Sequence, residues 1–99
     1  MDYTALGRRI RIQRRTLHLT QEQVAERSGI SLSFLGHIER GTRKASLETL
    51  ISISNVLKVS PAVLLQDSLL YPNTDVNPSQ KQRELINEIS RVILEKFDE

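Results

Sequence analysis

Residues 20–41 read TQEQVAERSGISLSFLGHIERG, and this segment predicts two short helices joined by a tight turn. Thr20 is a candidate N-cap because its hydroxyl can accept a backbone N–H of the first turn, and Gln23 lies at the spacing of a capping box. Gly29 suits the left-handed conformation that ends many helices. Ser31 is the candidate N-cap of the second helix. The segment therefore carries a start signal for each helix and a stop signal between them.

The second of these helices has an inward and an outward face. Leu35 and Ile38 lie three residues apart on the inward face, and Gly41 ends the helix. The residues left facing largely outward are Leu32, Ser33, Gly36, His37 and Arg40. A helix that is held from behind and carries short polar groups in front suits insertion into the major groove of DNA.

The composition of the chain excludes several classes of protein. Its 99 residues suffice for one domain with an appendage, and the absence of cysteine excludes a disulfide framework and a zinc finger. No apolar run approaches the roughly 20 residues of a membrane span. The charged N-terminus carries no secretory signal pattern. We therefore expect a cytoplasmic protein with no membrane contact.

The chain also lacks the signatures of an enzyme. Its two histidines have no acid cluster beside them, and there is no glycine-rich phosphate loop. No residues therefore have the spacing of a catalytic, metal or cofactor site. The few aromatic residues are spread along the chain, without the stacking platform that RNA-binding domains usually need. We expect neither catalysis nor a cofactor.

Positive charge is concentrated at the N-terminal end of the chain. Residues 1–44 carry nine Lys or Arg against four Asp or Glu, whereas residues 67–99 carry four against seven. The basic end contains the helix pair described above, as expected of a surface that binds nucleic-acid phosphates.

An arginine interrupts the apolar face of the first predicted helix. Residues 3–17 predict a helix with one face made of Leu6, Ile10, Arg14 and Leu17. The other arginines of this segment surround that face and are expected to be solvated. A charge on an apolar face needs a partner. We expect a partly buried ion pair between Arg14 and Glu39, with the structural role of fixing the first helix against the outward-facing one.

Two further helices complete the predicted domain. Ser46 caps a helix whose broad apolar surface is expected to be central to the core: Leu47, Leu50, Ile51, Ile53, Val56 and Leu57. Ser60 as N-cap and Pro61 at the first helical position start a short fifth helix. We therefore predict an all-α fold, a compact five-helix bundle over residues 1–67.

The last third of the chain differs from this domain. Residues 68–80 contain prolines and asparagines without a helical period and predict a linker. Residues 81–99 predict an amphipathic helix with the apolar stripe Leu85, Ile86, Ile89, Val92, Ile93 and Phe97. An isolated helix of this length is marginal in water, so the stripe must be buried. Folding back on the same domain and packing against a second copy both remain open, and we prefer dimerisation.

The chain resembles the phage-repressor or Cro-type helix-turn-helix family, also called the xenobiotic-response-element type. The resemblance covers about residues 5–66 and rests on LTQEQVAERSGISLSFLGHIERG, a basic loop, SLETLISISNVLKVS and PAVLL, in that order. It implies a lambda-repressor-like bundle of five helices whose third helix lies in the major groove. The C-terminal helix would be an addition to that bundle.

The resemblance also implies roles for individual residues. Positions that contact DNA phosphate are matched by Gln21, Arg43 and Lys44. Positions that reach base edges are matched by Leu32, Ser33 and His37. With the remaining outward-facing helix residues, the predicted DNA-binding set is Gln21, Ser31, Leu32, Ser33, Gly36, His37, Arg40, Arg43 and Lys44. Gly36 would let the DNA backbone approach closely.

Two positions depart from the usual family pattern. Several relatives place Gln, Arg or Lys where this chain has Leu32 and His37. Leu32 cannot hydrogen-bond a base but can touch a thymine methyl group. The base code is therefore weakly specified, and DNA shape is expected to supply part of the selectivity.

Arg14 and Glu39 match the internal ion pair of the family.

The function implied by the resemblance is sequence-specific regulation of transcription in a bacterium or phage. A homodimer would bind an operator, with the helix of residues 31–40 from each protomer in the major groove of one half of an inverted repeat. Repression and activation both remain open. A second interpretation is an antitoxin or interaction protein whose C-terminal helix docks a protein partner, with DNA binding secondary.

Overall fold

A computed structural model describes residues 1–71 of the chain. The described part contains five helices, which are α1 (Tyr3–Thr16), α2 (Gln21–Ser28), α3 (Leu32–Arg40), α4 (Leu47–Val56) and α5 (Pro61–Leu65). The predicted all-α class and the order of the five helices are confirmed. The predicted C-terminal helix with its apolar stripe, and most of the predicted linker, lie outside the described residues.

Hydroxyl side chains start four of the five helices. Thr20 accepts from the backbone N–H of Gln23 at 3.1 Å, and the Gln23 side chain accepts from the N–H of Thr20 at 2.9 Å. This reciprocal pair is the predicted capping box. Ser31, Ser46 and Ser60 cap α3, α4 and α5 in the same way, without the reciprocal bond. Each such cap stabilises its helix by about 1 kcal/mol.

Two glycines end the helices of the predicted pair. Gly29 follows α2 with a φ of 71°, and Gly41 follows α3 with a φ of 75°. This left-handed conformation strains residues that carry a side chain, and it reverses the chain direction while backbone N–H groups still reach the last carbonyls of the helix. The N–H of Ile30 bonds to the carbonyl of Ala25 at 3.0 Å. The tight turn between α2 and α3 is thus closed by backbone bonds.

One hydrophobic core lies between the five helices. Leu35 and Ile38 of α3 are 0% and 1% exposed, as their spacing predicts. The other buried apolar residues are Ala5, Leu6, Ile10, Val24, Ala25, Leu50, Ile53, Leu57 and Leu64. Because every helix contributes at least one of them, α3 is held from behind by its own helix pair and by the rest of the bundle.

The apolar surface of α4 that is predicted to be central to the core does not reach the core at two of its residues. Leu47 is 72% exposed and Ile51 is 43% exposed. The inward face of this helix includes the buried Ser54 instead. Its hydroxyl donates a hydrogen bond to the carbonyl of Ile51 at 2.8 Å. Leu47 and Ile51, four residues apart, share the neighbouring face, where no other described element covers them.

Contacts after α5 bring the chain back to the start of α1. Arg9 donates to both carboxylate oxygens of Asp67, at 3.0 Å for Nη2 to Oδ1, and this hydrogen bonding holds the pKa of Asp67 below its usual value. The hydroxyl of Ser68 accepts from the N–H of Asp2 at 2.8 Å. Asp2 also caps α1 by accepting from the N–H of Ala5 at 2.9 Å. Residues 67–68 therefore belong structurally with the bundle.

The backbones of α1 and the end of α3 approach each other closely at Gly7. Gly7 is buried, and a Cβ atom placed on it would overlap the carbonyl oxygens of Ile38 and Glu39 and lie 2.6 Å from the Glu39 carbonyl carbon. These neighbours are backbone atoms of a helix, which cannot swing aside as a side chain can. Only glycine at this position lets α1 lie this close to α3.

We predict that Gly7→Ala lowers the free energy of unfolding by about 1–3 kcal/mol, because overpacking outweighs the better helix propensity of alanine. The matched control is Gly36→Ala in α3, where the three atoms nearest to the added methyl group belong to the movable end of Arg40, the first at 3.1 Å. The control is expected to leave stability unchanged or to raise it by up to about 1 kcal/mol. Urea denaturation followed by circular dichroism measures both, and equal effects of the two substitutions would contradict the close approach.

Candidate nucleic-acid interface

The outer face of α3 carries the residues that the sequence analysis expects to face DNA. Ser31, Leu32, Ser33 and Arg40 are exposed, and His37 is half-buried. Ser33 and His37 are four residues apart and so lie on the same side of the helix, away from the buried Leu35. The described structure therefore leaves a hydroxyl and an imidazole side by side on an accessible helix face.

Gly36 lies on the outward side of α3 but is not open to solvent. Its backbone is buried because the guanidinium of Arg40, one turn further on, lies over it. The Nη1 atom of Arg40 is 3.1 Å from the point where a Cβ atom on Gly36 would be. A ligand approaching this part of α3 meets the Arg40 guanidinium before it meets the helix backbone.

The Glu39 side chain is the buried charge of α3, with no solvent exposure. Arg14 of α1 donates to both of its oxygens, at 2.8 Å from Nε and at 3.0 Å from Nη2. The third nitrogen of Arg14 donates to the carbonyl of Leu19 at 3.1 Å. The structure thus brings together the ion pair that the sequence analysis expects, and it adds backbone contact with the segment between α1 and α2.

Gln21 reaches the same carboxylate from the start of α2. Its Nε2 atom donates to an oxygen of Glu39 at 3.1 Å. A primary amide has two N–H donors, so one remains for a phosphate. Arg11 of α1 lies beside Glu39 as well, at 3.5 Å between Nε and a carboxylate oxygen, with its side chain 37% exposed. The side chain of Gln21, a residue predicted to contact phosphate, is therefore held in place by an internal hydrogen bond.

A basic cleft opens beside α3, between the end of α1 and the start of α2. Its walls include Arg11, Arg15, His18, Gln21, Leu32 and Arg40. For Arg11 and Arg15 the sequence predicts only a solvated face, and not their place next to the outward-facing helix. The signal available in the sequence was the excess of basic residues in the first 44 positions, which does not reveal the direction of any single side chain.

The loop between α3 and α4 carries two further basic residues next to the C-terminal end of α3. Arg43 and Lys44 are both exposed. The ammonium nitrogen of Lys44 lies 5.6 Å from the ring centre of Tyr3, a cation–π distance that orients this side chain beside the start of α1. Positive groups therefore border α3 on two sides, from the cleft and from this loop.

Within residues 1–71 no three His, Asp or Glu side chains group closely enough to hold a metal ion. None of the five described helices is long and apolar enough to cross a membrane.

A sequence profile of the helix-turn-helix family matches residues 10–64, which is more than half of the chain. The chain belongs to the helix-turn-helix family. This is a family of DNA-binding transcriptional regulators, which are not enzymes, and transcription regulation through DNA is accordingly the function of this protein. The matched residues include the whole of α2, α3 and α4, the elements that carry most of the geometry described above.

Several known proteins are similar to the chain over most of its length. An uncharacterised transcriptional regulator of Mycobacterium tuberculosis is 36% identical over 94 residues, which cover 84% of this chain and 67% of that protein. An immunity repressor protein of Bacillus phage phi105 is 31% identical, covering 94% of this chain and 67% of the phage protein. The crystal structure of the restriction-modification controller protein C.AhdI from Aeromonas hydrophila is similar with a TM-score of 0.62 and 35% identity, over 64% of this chain and 96% of that one.

We predict that Glu39→Ala lowers the free energy of unfolding by about 3–5 kcal/mol, because it leaves the nearly buried guanidinium of Arg14 without its carboxylate. Glu26→Ala is the matched control, since Glu26 is an exposed residue of α2, and it is expected to change stability by less than about 0.5 kcal/mol. Urea denaturation provides the measurement. The double variant Arg14→Met with Glu39→Leu is expected to recover most of the loss, because it removes both buried charges. A Glu39→Ala variant as stable as Glu26→Ala would show that the ion pair does not hold the bundle together.

Proposed function

We propose that the chain binds an operator as a homodimer, with α3 of each protomer in the major groove of one half-site. The observation that carries the proposal is that α3 has one buried and one accessible face. Leu35 and Ile38 are buried. Ser33 and His37 lie on the accessible face, which is bordered by arginines and a lysine. The major groove is wide enough to admit an α-helix and displays a distinct pattern of donors and acceptors for each base pair.

Base contacts are assigned to three residues of α3. The Ser33 hydroxyl can donate or accept, and His37 can do either according to which ring nitrogen carries the proton. Leu32 is 44% exposed and apolar, which suits a thymine methyl group and no polar base edge. Sequence selectivity is thus proposed to come from two polar contacts and one apolar contact in each half-site, supplemented by DNA shape.

Phosphate contacts are assigned to both borders of α3. Arg43 and Lys44 serve one border and the second N–H of Gln21 serves the other, where the N-terminus of α2 adds its backbone dipole. The cleft arginines Arg11 and Arg15 extend the second border beyond the predicted DNA-binding set, which already includes Arg40. Such contacts fix the position of the protein on the duplex but carry no direct sequence information.

A dimer is proposed because one small module makes too few contacts for tight specific binding at cellular salt. Two recognition helices about 34 Å apart would read two half-sites one helical turn apart. The preferred dimer element is the predicted helix of residues 81–99. The exposed pair Leu47 and Ile51 on α4 is the alternative surface that the described part of the chain offers.

Operator binding would repress transcription by occluding polymerase or activate it by contacting polymerase, and both outcomes stay open.

We predict that a random pool of duplexes, selected on the full chain at two salt concentrations, yields an inverted repeat. Ser33→Ala and His37→Ala are expected to relax preference at one or two positions per half-site, by about three- to tenfold, since each removes a single hydrogen bond to a base. Arg43→Ala is expected to weaken all sequences about equally and to lower by about 1 the slope of log affinity against log salt.

Lys58→Ala is the matched control for lost charge, because Lys58 follows α4 and is not part of the α3 face or its borders. It is expected to leave affinity, preference and salt dependence close to those of the unchanged chain. A protein that binds no duplex, even in dilute buffer, would refute the proposed function. Co-purification with a small basic protein instead of DNA binding would favour the antitoxin interpretation.

We predict that a fragment of residues 1–71 is a monomer where the full chain is a dimer, as measured by sedimentation equilibrium. The fragment retains the core and the contacts that Asp67 and Ser68 make with α1. The full-length variant Leu47→Glu serves as the control, and it is expected to remain a dimer because the proposed interface lies elsewhere. If the fragment dimerises as tightly as the full chain and the Leu47→Glu variant is a monomer, the dimer interface lies on α4 and not on residues 81–99.

A further inference from the structure

Thr42 makes two side-chain contacts with a single residue of the α3 face. It follows Gly41, and its backbone N–H donates to the carbonyl of His37 at 2.9 Å. Its hydroxyl oxygen is 3.1 Å from the same carbonyl oxygen and 2.9 Å from Nδ1 of the His37 ring. The hydroxyl therefore lies between the backbone and the side chain of His37, the residue to which the proposed function assigns a base contact.

Counting hydrogens favours one direction for these two bonds. A threonine hydroxyl has one hydrogen, and a carbonyl oxygen can only accept. If the hydroxyl hydrogen pointed at Nδ1, two oxygens would face each other at 3.1 Å with no hydrogen between them. If it points at the carbonyl, Nδ1–H donates to the hydroxyl oxygen and both short contacts become hydrogen bonds. Both arrangements leave the carbonyl bonded to the backbone N–H of Thr42, but only the second makes hydrogen bonds of both side-chain contacts, so it favours a neutral ring with its proton on Nδ1.

The other ring nitrogen then has a defined role. In a neutral imidazole with its proton on Nδ1, Nε2 is an acceptor. In the major groove the amino groups of adenine and cytosine are donors, whereas guanine presents two acceptors and thymine an acceptor and a methyl group. A ring held in this state bonds to an amino base and leaves a keto base without a partner hydrogen.

We propose that Thr42 is a positioning residue that fixes the tautomer of His37, so that Nε2 selects adenine or cytosine over guanine or thymine on the strand it contacts. Only the base-selection step of the inference rests on the proposed function, because the tautomer of His37 is a property of the free protein. It assigns to the loop after α3 a part in base selection, through a residue that need not touch DNA.

The tautomer is measured on the free full-length protein by nitrogen-15 NMR of the imidazole rings, at a pH where the ring's own titration shows it to be neutral. The chain has two histidines, and the exposed His18 provides an internal reference within the same sample. His37 is expected to show its proton on Nδ1. Thr42→Val removes the hydroxyl with little change of shape and is expected to reduce that population, whereas Thr42→Ser retains the hydroxyl and is expected to keep it. A proton on Nε2 in the unchanged protein would overturn the inference.

The base preference is measured by competition among duplexes that differ at one position, the one whose preference is lost in His37→Ala. The unchanged chain and Thr42→Ser are expected to prefer adenine or cytosine there, and Thr42→Val to lose about three- to tenfold of that preference while keeping its affinity for the rest of the site. An intact preference in Thr42→Val would refute the positioning role. Specific binding with the proton on Nε2 overturns this inference alone, whereas failure to bind any duplex overturns the proposed function and the base-selection step with it.

Discussion

The rest of the structure depends on the ion pair and hydrogen bonds that the buried carboxylate of Glu39 makes. Taking a carboxylate out of water costs several kcal/mol, and the group is tolerated only where charged and polar partners surround it. Arg14 supplies the charge from α1 and Gln21 supplies a further donor from the start of α2. Because three helices must converge on one side chain, the rotation of α3 about its own axis is set, and so is the face that it turns to solvent.

The same requirement explains the close contact at Gly7. For Arg14 to reach Glu39, α1 must lie against the C-terminal turn of α3, and a side chain at Gly7 would hold the two helices apart. A residue without a side chain and a buried ion pair are thus two parts of one helix contact. Their combination places the arginines of α1 beside α3, where the basic cleft forms.

The polar groups of the α3 face are held by neighbours before any ligand arrives. Arg40 lies over Gly36, the Gln21 amide bonds to Glu39, and the His37 ring bonds to the hydroxyl of Thr42. Side chains that are already ordered lose less conformational freedom when they bind. A small helix-turn-helix domain gains from this order, since a small interface offers little binding energy to offset lost conformational entropy.

Local signals in the sequence determined the helix boundaries, because capping hydroxyls and glycines in the left-handed conformation act within four residues of where they stand. They also determined the buried pair Leu35 and Ile38, and the need of Arg14 for a partner, since a charge on an apolar face has few solutions. Only the tertiary structure decided that Leu47 is exposed, that Arg40 covers Gly36, and that Thr42 holds His37. Each of these depends on how wide a face the neighbouring elements cover or on where a flexible side chain comes to rest, and neither quantity is contained in the spacing of residues along the chain.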